Sequence, residues 1–145
     1  MKPLQRKLWA AGNKTMSALY RRTNGRIGGR ARGGTPVLLL TVRGRKTGVE
    51  RTAPVSYFEH EGGYLVVGSA GGIAEDPQWF KNLAATDMAR IRVKAEESTV
   101  NVRVLEGTER DAAWTRVVLA EAPSFADYER KSGRVLPIAR LTPTG

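Results

Sequence analysis

The stretch V-L-L-L-T-V-R-G-R-K-T-G-V-E-R-T-A-P-V-S-Y-F, residues 37–58, reads as two β-strands joined by a cationic turn. Its middle, Arg43 to Pro54, carries Arg43, Arg45, Lys46 and Arg51 against a single carboxylate, Glu50. Gly44 and Gly48 let the backbone fold back without a Cβ in the way. The apolar run Val37 to Leu40 leads in and Val55 to Phe58 leads out, so the turn caps a hairpin. Cations and turn N–H groups converging at one corner suit a phosphate or a carboxylate. The plainer reading of the same residues is a solvated hairpin that happens to be basic.

Upstream, residues 3–22 place Leu4, Leu8, Gly12, Met16, Leu19 and Tyr20 on one helical face, with Trp9 at its edge and Lys/Arg opposite. Such a helix either packs on the domain or lies on an anionic membrane. Its Leu, Met and Trp stripe favours packing. Residues 23–35 (T-N-G-R-I-G-G-R-A-R-G-G-T) read as a linker, or as a loop that orders around an anion. Downstream, Thr52 to Glu59 is a strand in which Pro54 marks an edge or a bulge. His60 to Gly63 turns the chain into a strand from Tyr64 to Ser69. Asp76 before Pro77 signals the start of a short helix running to about Ala85. Ala89–Ala95 and Thr99–Glu106 alternate as half-wet strands about a turn at Glu96–Ser98. Thr108-x-x-Asp111 and Ser124-x-x-Asp127 resemble capping boxes for two more helices, and Val135–Leu141 reads as a last strand. The expectation is a mostly β, α+β chain: a barrel of about six antiparallel strands with an N-terminal helix and short rim helices. Residues 1–35 form the basic helix and linker, and 36–145 the barrel.

The 145 residues suit one core, and the lack of cysteine excludes disulfides and thiolate metal sites. The single histidine, His60, sits at a hairpin tip, so no metal site is expected. Net charge is +10, but 13 of the 24 Lys/Arg lie within residues 1–51 beside one acid, leaving the remainder slightly negative. Basicity concentrated in the first third points to an anionic partner. No apolar run approaches bilayer length and no signal-type segment follows the basic N-terminus. The expected location is cytoplasmic, with contact to an anionic membrane face through the first helix as the competing option.

Four motifs then follow in order: Gly44-Arg-Lys-Thr-Gly48; Arg51 with Pro54; Ser69-x-x-Gly72; and Pro77-x-Trp79-x-x-Asn82-Leu83. With the P-S-F-A-D-Y segment near the end, they resemble the deazaflavin-dependent nitroreductase and quinone reductase family from about Pro36 to Pro143. These are split β-barrel oxidoreductases that use coenzyme F420, an 8-hydroxy-5-deazaflavin carrying a phosphodiester and an oligoglutamate tail.

The resemblance implies that Arg45, Lys46 and Arg51 grip phosphate and tail, where planar guanidinium groups suit bidentate pairing. Thr47 and Gly48 would add donors, and Pro54 would border the ring. Ser69, Ala70, Gly71 and Gly72 would approach the cofactor closely. Trp79 belongs to the same motif set, although tryptophan on such a short helix is more often a core anchor. Asn82 reads as a loop fastener. The implied reaction is hydride transfer from reduced F420 to a small-molecule acceptor such as a quinone, an enone or a nitro compound. Ser69 and Tyr128 are the catalytic hydroxyl candidates for the accompanying proton. Ala70, Ala122 and Phe125 stand where the family often carries polar or tyrosine side chains, which puts bulky nitroaromatics in doubt. The assembly expected is a monomer or a homodimer.

Two other readings use the same residues. A split barrel holding FMN has the same fold, but one phosphate needs fewer cations. A nucleic-acid-binding barrel would stack bases on strand aromatics; the strands offer only Tyr57, Phe58 and Tyr64, so no specific nucleic acid is expected.

Overall fold

The computed structural model describes residues 3–31, 34–69 and 75–144, with side chains from residue 13 onward. Six antiparallel strands close into a barrel in the order β1-β2-β3-β6-β5-β4. They are β1 (Val37–Arg43), β2 (Glu50–His60), β3 (Gly63–Val67), β4 (Met88–Val93), β5 (Glu96–Val104) and β6 (Ile138–Pro143). Side chains alternate across each strand. Leu38, Leu40, Val42, Val55, Tyr57, Val66, Ile91, Val100 and Leu141 fill the interior. On the outer face, Val37 and Leu39 pack under Tyr20 of α1 (Pro3–Thr23). That second cover is why residues 37–40 are apolar without interruption.

The Tyr20 hydroxyl fastens α1 to the barrel: it donates to the Val37 carbonyl at 2.9 Å and accepts from the Lys94 N–H at 2.7 Å. The described half of α1 therefore packs, as its stripe suggested. Leu4, Leu8, Trp9 and Gly12 lie outside the described side chains. A separate outer core joins Phe58, Leu65, Val67 and Ile138 to Trp114, Val117, Val118 and Phe125. Trp114, Val117 and Val118 lie on a π-helical turn (Trp114–Val118) between α3 (Gly107–Ala113) and α4 (Leu119–Glu121), and Phe125 opens α5 (Phe125–Ser132). At one end of the barrel α2 (Gln78–Ala84) inserts Phe80 and Leu83 into the interior core, with Trp79 packed against it.

Several local expectations are corrected. None of the three expected helix caps uses its side chain: the N-cap positions are Pro77, Glu106 and Ser124, without side-chain hydrogen bonds. The acids are drawn to guanidinium groups instead, Asp76 to Arg134, Asp111 to Arg110 and Asp127 to Arg130. A charge-assisted pair is the stronger contact. The β4–β5 turn is not at Glu96–Ser98. Val93 pairs with Glu96, and Lys94 takes the left-handed corner at φ 56°. The last strand begins at Ile138 rather than Val135: Pro137 still accepts the Gly68 N–H through its carbonyl, but its nitrogen has no N–H to carry the ladder further.

Pro54 is an edge of an unusual kind. It pairs with Leu39 on one side of β2. The Tyr57 N–H bonds to the Pro36 carbonyl, so by alternation the Pro54 nitrogen faces away from β1, toward β3. The β2–β3 ladder runs from His60↔Gly63 to Tyr57↔Val66 and stops there. Carried onward, its register would set Pro54 opposite Ser69, but proline has no N–H to extend it. Ser69 turns away, its N–H bonding back to the Val67 carbonyl at 2.9 Å. The barrel is thus closed along its length and split beside Pro54.

Candidate cofactor site

Strand directions bring the β1–β2 turn, the end of β3, α2 and the start of β6 to the same end of the barrel. The turn builds itself from short-range bonds. The Gly44 N–H reaches the Val49 carbonyl and the Gly48 N–H the Gly44 carbonyl, both at 2.9 Å. The Thr47 hydroxyl accepts the Val49 N–H at 3.2 Å. Gly48 sits at φ 73°, a corner that a Cβ would strain. Its N–H is already used, so what Gly48 supplies is the corner.

Arg45 is held from below by α2. Asn82 Oδ1 accepts its backbone N–H at 3.1 Å and its guanidinium at 2.7 Å, and Gln78 Oε1 accepts a second guanidinium N–H at 3.0 Å. Both partners are neutral, so Arg45 is oriented without losing its charge. Asn82 is buried and fastens the loop as its motif position suggested; Gln78 gave no sign of this role in the sequence. Arg43, Lys46 and Arg51 are exposed, and no carboxylate among the described residues pairs with any of them. Glu50 turns instead to Arg90 at 2.9 Å. Arg51 lies on the inward register of β2, the side of Ala53 and Val55, whereas Pro54 lies on the outward one. The two therefore cannot meet a flat ring from the same face of the strand.

Ser69 is half-buried at the split. Just before it, Gly68 packs where a Cβ would stand 2.9 Å from Pro137 Cγ and 3.0 Å from Phe80 Cγ, so β3 ends tight against α2. Ala70, Gly71 and Gly72 lie outside the described residues. Arg134 ties together what brackets them. Its guanidinium donates to the Gly68 carbonyl at 3.0 Å, the Glu75 carbonyl at 2.8 Å and the Asp76 carboxylate at 2.5 Å. No sequence pattern marked Arg134, because the contact spans 66 residues.

Trp79 is half-buried against the barrel core, edge-on to Phe80 at 5.5 Å between centroids, the packing of an anchor. Tyr128 sits in the outer layer, edge-on to Phe125 at 5.1 Å, and no hydrogen bond joins it to Ser69. Ala122 and Phe125 are buried, Phe125 against Phe58 at 5.5 Å. Burial pushes the Tyr57 phenol up, with Glu59 adding to it, so this barrel tyrosine stays neutral. Among the described residues no cluster of His, Asp or Glu could hold a metal ion.

A closed six-strand barrel, split at one proline beside a cationic turn with no carboxylate partners, defines a split β-barrel protein built for an anionic cofactor. A family model for F420H2-dependent quinone reductases matches residues 13–143, and the chain belongs to that family. An F420H2-dependent quinone reductase of Mycobacterium tuberculosis is 35% identical over 127 residues, 86% of this chain and 85% of that protein. A solved structure described as an F420-H2 dependent reductase superposes with a TM-score of 0.65 at 30% identity, covering 73% of this chain and 93% of that one. Another, described as a domain-swapped dimer, gives the same score and identity over 73% of this chain and 79% of its own. The chain is an F420H2-dependent oxidoreductase with coenzyme F420 as its hydride carrier, and the FMN reading is not favoured.

Proposed function

We propose that the split between β2 and the end of β3 receives the deazaflavin ring, and that the Arg43–Arg51 turn holds the phosphodiester and the first tail carboxylates. The observation that carries this reading is the pairing of the two features. The β2–β3 ladder stops at Tyr57↔Val66, short of Pro54, and at the start of the same strand and its turn stand three cations without carboxylate partners. Those donors suit a polyanion better than they suit each other.

The bound coenzyme supplies a hydride, and this chain's residues do the rest. Lys46 and Arg51 bind the phosphate, Arg45 is set in place by Asn82 and Gln78, and Thr47 and Gly48 shape the corner. Pro54 borders the ring edge, while Gly68 and Ser69 form the facing rim, continued by Ala70, Gly71 and Gly72. Trp79 supports the site by anchoring α2. The Ser69 hydroxyl is the nearer proton donor to a ring in the split, with Tyr128 the alternative. One hydride and one proton convert a quinone to a hydroquinone, and the quinone reductase of Mycobacterium tuberculosis makes a quinone the first acceptor to try. Buried Ala122 and Phe125 offer an acceptor no hydroxyl, which disfavours bulky nitroaromatics.

A homodimer fits the domain-swapped dimer to which the chain is similar. No helix among the described residues is long and apolar enough to cross a membrane. The described half of α1 is docked on the barrel, so we favour a cytoplasmic enzyme over one held to the membrane by this helix. The test is oxidation of reduced F420 by menadione in the presence of the purified protein, followed by recovery of deazaflavin absorbance. Ser69→Ala should slow it more than Tyr128→Phe. A protein that purifies with a flavin spectrum and ignores F420 overturns the reading.

A further inference from the structure

A second cationic feature lies on the outer face of the barrel, beside the turn. The cross-strand row Thr52, Thr41, Arg90, Thr99 spans β2, β1, β4 and β5, and its last three members line a cavity of about 320 Å³ that Arg21 of α1 also borders. The Thr41 and Thr52 hydroxyls are 2.7 Å apart, and Arg21 of α1 reaches the Thr52 hydroxyl at 3.4 Å. Arg92 also lines the cavity but is committed to Lys94 O, Arg21 O, Asn24 and Glu97. That leaves Arg21, weakly held by one hydroxyl, and Arg90, held by Glu50.

The row nearer the turn contains Arg43 paired with Glu50 in the ladder. Arg43, Arg90 and Arg21 thus form a line of cations leading from the turn toward α1. On the other flank, around α2, Lys81 and Arg134 are already paired with Glu75 and Asp76, so those cations are taken. A polyanion leaving the turn is drawn along the outer face. Glu50 is the obstacle, and its side chain is the same chemical group as a tail glutamate's. The Glu50–Arg90 pair is exposed on both sides, at 52% and 58%, so exchanging one carboxylate for another there is easy.

We infer that this outer-face cavity takes the distal carboxylates of an oligoglutamate chain, and that Glu50 occupies Arg90 until a ligand carboxylate displaces it. The inference rests on the proposed cofactor site. The test is fluorescence titration at low salt with the monoglutamyl coenzyme and a long oligoglutamyl form, using wild type, Glu50→Gln and an Arg21→Gln/Arg90→Gln double variant. Both variants change only exposed side chains, and circular dichroism checks their folding. Wild type should bind the long form more tightly. The double variant should lose roughly two- to fivefold affinity for the long form alone, and Glu50→Gln should gain a similar factor for it. Equal changes for both forms, no change, or weaker binding by Glu50→Gln overturns the tail subsite while leaving the ring site standing. No binding of either form by wild type overturns the cofactor reading itself.

Discussion

The side-chain oxygen of Asn82 accepts two hydrogen bonds from Arg45, one from its backbone N–H at 3.1 Å and one from its guanidinium at 2.7 Å. A buried amide on α2 therefore sets the geometry of an exposed cationic turn. The guanidinium bond is charge-assisted and both are partly shielded, so losing them costs about 1–2 kcal/mol in the ordering of the turn. Asn82→Ala should raise KM for the reduced coenzyme about tenfold and leave kcat nearly unchanged. Steady-state kinetics decide; a fall in kcat at constant KM would give Asn82 a different role.

Gly68 has no room for a side chain, with Pro137 and Phe80 at about 3 Å from any Cβ. Gly68→Ala should destabilise the fold by about 1–3 kcal/mol, read from urea unfolding. It should also weaken coenzyme binding through the displaced Ser69. Unchanged stability would mean that α2 yields more readily than its packing suggests.

Arg110 is the most buried cation among the described residues. Its guanidinium donates to the Leu136 carbonyl at 3.1 and 2.7 Å and to Glu129 at 3.2 Å, and lies 4.9 Å above the Trp114 ring. Arg110→Met keeps the stem but strands a buried carbonyl and Glu129, and should cost about 2–3 kcal/mol. Urea unfolding measures it, and coenzyme affinity at native conditions should not move.

Arg103 holds the Glu109 carboxyl below its ordinary value of 4.5 through a bidentate pair on the surface. A depressed folded-state pKa contributes stability that is present above the ordinary glutamate range and lost as pH falls through the depressed value. The Tm difference between wild type and Glu109→Gln should be positive and flat near neutrality, then shrink toward zero in acid. Salt should shrink it too. A difference that grew in acid would contradict the pairing.

The barrel was legible because its signals are local. The alternation of residues 99–106, the uninterrupted run at 37–40 and the glycine corners at 44 and 48 each report a nearby geometry. What was not legible depends on distant partners. Asp76 has the pattern of an N-cap, but Arg134 claims its carboxylate from 58 residues away. Gln78 and Arg21 look like solvated polar residues until the fold sets them beside Arg45 and Thr52.

Pro54 lies between these cases. Its character as an edge was readable, since proline cannot extend a ladder. That the edge would open inside a closed barrel, opposite Ser69, required the β2–β3 register. Phe125 was read as a change in a substrate wall; its burial against Phe58 makes it part of the outer core as well.

The central claim is that the turn's unpaired cations hold the coenzyme, and fluorescence titration of oxidised F420 tests it most directly. Wild type should saturate at micromolar coenzyme, and Lys46→Ala and Arg51→Ala should each weaken binding roughly tenfold, the loss of one charge-assisted contact. Wild type that fails to saturate, or variants that bind as wild type does, would leave Arg43 to Pro54 a solvated hairpin and contradict the account.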